Sequence, residues 1–171
     1  MKTLFAGFLL ALSGCCVAES CECADERADT VFLRFSRDSL SAGGFRAADL
    51  DTFRLVRITL DSAYRPLRDT VGLEARVGTE GADFVLDQRR PFASNPRKAG
   101  AYSYEVQGIA PDTFTVRLSA VQVSGHLRAA TACCTCYENL RKELRVNGGP
   151  LLNLHTAAAT DQPVVVELRK P

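Results

Sequence analysis

Residues 102–121 read YSYEVQGIAPDTFTVRLSAV, two runs of alternating apolar and polar residues joined by a turn sequence. The apolar positions are Tyr102, Tyr104, Val106, Phe114, Val116 and Leu118. Successive side chains of a strand point to opposite faces, so this alternation is typical of a strand with one buried face. Pro111 and Asp112 lie between the runs and favour a turn. The stretch therefore predicts two half-buried strands separated by a turn.

Alternation of the same kind recurs along most of the chain. The further runs are residues 31–36, 71–77, 82–86 and 164–168. Turn-forming pairs separate them, namely Gly43-Gly44, Glu80-Gly81, Asn95-Pro96 and Asn147-Gly148. Many short strands divided by turns are typical of a β-sandwich or a β-barrel. We therefore predict an all-β fold.

Two predicted strands depart from simple alternation, and a third segment is ambiguous. In residues 52–60 and around Ser119-Ala120 the apolar phase slips by one position, which indicates β-bulges or a strand covered on both faces. Residues 135–138, Thr-Cys-Tyr-Glu, have the form of a helix capping box. They predict a short helix near residues 136–141, followed by a strand.

The stretch quoted first resembles the segment that joins two late strands of fibronectin type III domains. The positions that carry this resemblance are Gly108, Ile109, Pro111, Thr113 and Phe114. Phe114 stands where that family has a corner tyrosine, so the tyrosine's hydroxyl bond to the backbone is not expected here. The resemblance implies a single antiparallel β-sandwich of immunoglobulin type. Such folds host many functions, so it assigns none.

The amino terminus resembles the export signal of bacterial lipoproteins. Lys2 precedes an apolar run at residues 4–12, too short to span a bilayer, and Leu12-Ser13-Gly14-Cys15 has the form of a lipobox. The resemblance implies removal of residues 1–14 and lipidation of Cys15, and the lack of Asp after Cys15 implies the outer membrane of the cell envelope. An ordinary cleaved signal with an incidental cysteine is the alternative. We expect a tether at residues 15–29 and a domain at residues 30–171.

The charge balance bears on the partners. Lys and Arg number 21 and Asp and Glu 20, and removal of residues 1–14 takes away Lys2 alone, so the formal net charge falls from +1 to 0. A neutral chain lacks the basic surface that nucleic-acid binding requires. We therefore expect no nucleic-acid partner. The expected partners are the membrane, through the lipid, and an envelope protein or glycan.

Seven cysteines form two groups. The candidates for disulfides are Cys16, Cys21, Cys23, Cys133, Cys134 and Cys136, with Cys15 reserved for lipid. Disulfides persist in exported proteins, and pairing across the two groups avoids strained bonds between adjacent cysteines. Two alternatives stay open. Thiolates of Cys21, Cys23, Cys133, Cys134 and Cys136 are candidate ligands for Cu(I) or Zn(II), and Cys133-x-x-Cys136 is a candidate redox pair.

The remaining chemistry-bearing residues form no recognisable site in the sequence. His126 and His155 have no partners at fixed spacing, and Asp49-x-Asp51 lacks the rest of a calcium loop. We therefore predict no catalytic residue and no cofactor. The expected function is a non-enzymatic binding or structural accessory module of the cell envelope. The alternative is a cysteine-based metal-binding or thiol-redox lipoprotein.

Overall fold

The computed structural model describes residues 21, 23, 25–38, 43–75, 81–92, 97–109, 113–129, 131, 133–155 and 163–171. Its strands are β1 (Val31–Phe35), β2 (Phe53–Leu60), β3 (Pro66–Leu73), β4 (Phe84–Leu86), β5 (Ser103–Gly108), β6 (Thr115–Ala129), β7 (Thr135–Val146), β8 (Leu151–Asn153) and β9 (Val165–Leu168). Two single-turn helices, α1 (Asp25–Ala28) and α2 (Ala47–Leu50), and a 3₁₀ turn at Ala99–Ala101 connect them. None of the described helices is long or apolar enough to cross a bilayer.

The strands form two sheets that pack face to face, which confirms the predicted all-β sandwich. The larger sheet is antiparallel, with the order β3-β2-β5-β6-β7-β8. The smaller sheet has the order β4-β1-β9. Within it β1 and β4 are antiparallel, whereas β1 and β9 are parallel, so the first and last strands lie side by side.

An aromatic cluster fills the space between the sheets. Phe35 of β1 lies with its ring centroid 5.0 Å from both Phe45 and Phe53, and 5.7 Å from Phe84. Phe45 in turn contacts Phe114 edge to face at 4.7 Å. Edge-to-face aromatic pairs add to the free energy gained by burying their area. Phe35 therefore joins both sheets at the centre of the core.

The two alternating runs within residues 102–121 form strand β5 and the first part of strand β6, as predicted. They pair antiparallel, with Tyr104 opposite Leu118 and Val106 opposite Val116, and all four side chains are buried. The Gly108 N–H donates to the Phe114 carbonyl oxygen at 3.0 Å and closes the connection. The alternating residues therefore supply one face of the core.

The two phase slips have different causes. The pairing of β6 with β7 shifts between Ser119 and Gln122, where Ala120 has a φ of 50°, so a bulge is confirmed there. In β2 the pairing with both neighbours is unbroken, so there is no bulge, and the predicted alternative of a strand covered on both faces holds. Val56 is buried on the outer face instead. It lies under the hydrogen bond that Arg68 of β3 donates across β2 to Glu105 of β5, at 3.3 Å.

The short helix predicted near residues 136–141 is wrong, because this segment belongs to strand β7. Ser124 pairs with Arg141 while Gly125 pairs with Asn139, so Leu140 is an extra residue that bulges from β7. Such a bulge resets the alternation. Tyr137 lies before the bulge and Leu144 after it, so the spacing of seven residues between them, which would also fit one face of a helix, arises within a strand.

Candidate functional site

The β6–β7 hairpin projects beyond the rest of the larger sheet. Strand β5 pairs with β6 only between Thr115 and Leu118. Beyond Gln122 and its partner Glu143, the last β7 residue that pairs with β8, β6 and β7 continue as a two-stranded ribbon, and their last pair is Ala129 with Thr135. An isolated ribbon of this kind has little core of its own, so it requires other support.

The support comes from the amino-terminal strap, defined here as residues 21, 23 and 25–30. Disulfides join Cys21 to Cys134 and Cys23 to Cys136, with Cα atoms 5.5 Å and 5.4 Å apart. Both bonds span 113 residues, so Cys21 and Cys23 meet the start of β7 with the two segments running in the same chain direction. The predicted pairing between the two cysteine groups is thereby confirmed for these four residues.

The other predicted sulfur sites stand as follows. Cys133 is disulfide-bonded as well. Cys15 and Cys16, the predicted lipid site and a predicted disulfide residue, lie outside the described residues. Locally, the Thr131 hydroxyl accepts hydrogen bonds from the backbone N–H groups of Cys133 and Cys134, at 3.3 Å and 3.1 Å. This turn orients the Cys134 sulfur toward the strap.

A polar cluster holds the strap where the disulfides end. The Asp29 carboxylate accepts a hydrogen bond from the Tyr137 hydroxyl at 3.0 Å and another from Asn139 Nδ2 at 2.8 Å. Lys142 Nζ donates to the carbonyl oxygens of Thr30, at 2.9 Å, and Arg27, at 3.3 Å. All three β7 side chains therefore lie on the face that the strap covers.

Burial changes the titration of this cluster. It raises the pKa of Tyr137 to about 12, and the hydrogen bond to Asp29 acts in the same direction because the phenol donates it. Burial also lowers the pKa of Lys142, while the Asp29 carboxylate opposes that change. Asn139 is buried, and its Oδ1 has no hydrogen-bond partner among the described residues.

A glycine makes room for the tyrosine. A Cβ atom at Gly125 would lie 2.7 Å from the Tyr137 ring and 2.2 Å from the Glu138 carbonyl oxygen. Both distances are far below van der Waals contact, so only glycine fits beneath the ring. Gly125 thus allows the Tyr137 hydroxyl to reach Asp29.

Sequence reasoning did not find these polar residues. Asp29 is separated from Tyr137 by 108 positions and from Asn139 by 110, and nothing in the local sequence links them. The two cysteine groups were the available signal, because they predict that the flanking residues also meet. The contact between Tyr137 and Asp29 could be predicted from the cysteine pairing only if the register between the two segments were already known.

The other candidate residues of the sequence do not join this cluster. His126 and His155 are exposed, and the His155 N–H donates to Asn153 Oδ1 at 2.9 Å. Asp49 is buried and ion-paired with Lys170 at 2.8 Å, which lowers its pKa, whereas Asp51 is exposed at the end of α2. Asp49 therefore stabilises the α2 turn and the carboxy-terminal residues.

A shallow polar groove lies on the smaller sheet. Its lining comprises Arg34, Phe35, Ser36, Arg37, Asp38, Glu167 and Arg169. Glu167 pairs with Arg169 at 3.1 Å and with Arg34 at 3.6 Å, and Arg37 pairs with Asp83. The three guanidinium groups are thus engaged by carboxylates of the protein itself.

The disulfide-bonded hairpin can hold the strap in place, and the described residues of the two form no arranged set of reactive side chains. Within the described ranges, no three His, Cys, Asp or Glu side chains are grouped to hold a metal ion. The sulfurs of Cys21, Cys23, Cys134 and Cys136 are bonded in pairs and are not thiolates. No protein-family model, no curated protein and no solved structure significantly matches the chain.

Proposed function

We propose that the protein is a lipid-anchored, non-enzymatic module of the cell envelope, which displays its loops to an envelope protein or glycan. The observation that carries this proposal is the disulfide-bonded strap. It begins at Cys21, six residues after the lipobox cysteine Cys15. Structural disulfides are typical of exported proteins, which agrees with an export signal at the amino terminus.

The strap gives an anchor a mechanical purpose. A lipid on a flexible tether would leave the domain free to turn at the membrane surface. Two disulfides and the hydrogen bonds of Asp29 instead join the chain downstream of Cys15 to one end of the sandwich. Loops at the other end, which include Ile109 and the Asn147-Gly148 turn, then point away from the anchor.

Mass spectrometry of the membrane-extracted protein tests this proposal. We expect intact mass and peptide mapping to show a chain that begins at an acylated Cys15, with the peptides of Cys21 and Cys134 and of Cys23 and Cys136 linked before reduction. With Cys15 lipidated, Cys16 is the expected partner of Cys133, because it is the one remaining cysteine.

A pair of substitutions provides the control. Cys15→Ala is expected to move the protein from the detergent phase to the aqueous phase on phase separation, whereas Cys16→Ala leaves it in the detergent phase. A wild-type protein that keeps residue 1 unmodified and enters the aqueous phase contradicts the proposal. Native thiols that titrate, or a co-purifying soft metal, would favour the metal-binding or redox function instead.

A further inference from the structure

We infer that the tip of the β6–β7 hairpin faces the bilayer and contacts it, with Leu127 as the apolar contact. The hairpin tip is defined as residues 127–129, 131 and 133–135. This inference rests on the proposed lipid anchor and adds to it an orientation and a membrane-contacting surface.

The chain between Cys15 and the strap is short. Five residues separate Cys15 from Cys21, and the six Cα-to-Cα steps between these cysteines span at most about 22 Å when fully extended. The Cys21 Cα lies 5.5 Å from the Cys134 Cα, which is in the hairpin tip. The tip is therefore held within a short distance of any lipid on Cys15, whatever path the five intervening residues take.

The hairpin tip lies at one end of the sandwich. From Leu118, the last β6 residue that pairs with β5, strand β6 continues for eleven residues to Ala129, a span of about 36 Å at 3.3 Å each. Ile109 and Phe114, in the β5–β6 connection, lie at the other end of the same strands. The anchor cannot reach that end, so the tip is the end that approaches the membrane.

The hairpin tip carries an exposed apolar side chain. Leu127 is 68% exposed, although its cross-strand neighbour Tyr137 is held under the strap by Asp29. Arg128 beside it is paired with Glu138 at 3.3 Å, so the tip carries an apolar side chain without an unpaired charge next to it. An exposed leucine at the end nearest the lipid is suited to the boundary between headgroups and acyl chains.

The chain contains no tryptophan, so a single introduced indole reports on one position. Leu127→Trp places the probe at the tip, and Ile109→Trp places it at the opposite end, at a side chain that is 43% exposed. Each acylated variant is reconstituted into phosphatidylcholine vesicles whose acyl chains carry bromine. We expect blue-shifted emission and at least twofold quenching for L127W, and less than a tenth of the emission lost for I109W.

The results distinguish a failure of the membrane contact at Leu127 from a failure of the proposed lipid anchor. Intact mass under non-reducing conditions first establishes that each variant is acylated and keeps its disulfides. Acylated L127W that is quenched no more than I109W overturns the inference and leaves the anchor standing. A chain without acyl groups overturns both. Stronger quenching of I109W would assign the opposite end to the membrane.

Discussion

At the scale of single residues, the contact between Tyr137 and Asp29 decides how the strap is held. Tyr137→Phe keeps the ring over Gly125 and removes the hydrogen bond to the Asp29 carboxylate. We expect it to lower the free energy of unfolding by about 1–2 kcal/mol, measured by urea titration at neutral pH. Tyr64→Phe is the control, because Tyr64 is 83% exposed in the β2–β3 turn, and it should change stability by less than about 0.5 kcal/mol.

The same tyrosine predicts a dependence on pH. The pKa of Tyr137 is raised from 10.0 to about 12 in the folded protein. Between these values the unfolded chain loses a proton that the folded protein keeps, so its contribution to stability is complete below pH 10 and is lost as the pH rises toward 12. Urea titrations across this range should show a smaller loss for Tyr137→Phe than for the wild type. Equal losses would contradict the assignment, since Tyr104, whose pKa is also raised, is present in both proteins.

Gly125 and Gly72 form a matched pair of glycines in strands. Alanine at Gly125 would place its Cβ 2.2 Å from a backbone carbonyl oxygen, whereas at Gly72 a Cβ meets nothing within 4 Å. We expect Gly125→Ala to cost about 1–3 kcal/mol and Gly72→Ala to be neutral or slightly stabilising. Thermal unfolding followed by circular dichroism measures both, and a neutral Gly125→Ala would mean that the Tyr137 ring does not lie where it is described.

At the scale of elements, the disulfides act together rather than one by one. The Cys21–Cys134 and Cys23–Cys136 bonds close nearly the same loop, and Cys133 is disulfide-bonded as well. We expect Cys23→Ser with Cys136→Ser to lower stability by no more than about 1–2 kcal/mol, whereas full reduction lowers it by about 4–5 kcal/mol. Guanidinium titrations of the variant, the wild type and the reduced wild type check this, and equal losses would show that the bonds stabilise independently.

The elements also show what the sequence could and could not reveal. Alternation identified β5 and β6 and most of the core, because period two follows directly from one buried face. The helix predicted near residues 136–141 was wrong, because the capping-box sequence from Thr135 to Glu138 lies within strand β7, in which Leu140 forms a bulge. In β2 the alternation was broken at Val56 for another reason. The side chains of Arg68 and Glu105 cover the outer face of the strand, and such a tertiary contact cannot be read from periodicity.

The strap was predictable only in part. The cysteine groups indicated that the two segments meet, but the contacts of Asp29 and Lys142 depend on the register of that meeting. Register across more than a hundred residues is a tertiary property, set by the packing of the whole domain rather than by any local pattern.

At the scale of the whole molecule, Phe35 joins the two sheets. Phe35→Ala removes the ring that contacts Phe45 and Phe53, and we expect it to cost about 3–5 kcal/mol through lost burial and the cavity that remains. Leu60→Ala, at a side chain that is 51% exposed, should cost less than about 1 kcal/mol. Urea titrations of both variants test this, and comparable losses would place the centre of the core elsewhere.

The parallel pairing of β1 with β9 determines how the molecule would bear a load. Chain direction is the same in both strands, so β1 is entered from the strap while β9 leaves toward Lys170 and Asp49 at the opposite end. A force applied between the two termini would act along the two strands, so it would load all the hydrogen bonds of this pair at once. It would not break them one after another from one end. The β1–β9 pair is therefore arranged to resist traction applied between the two termini.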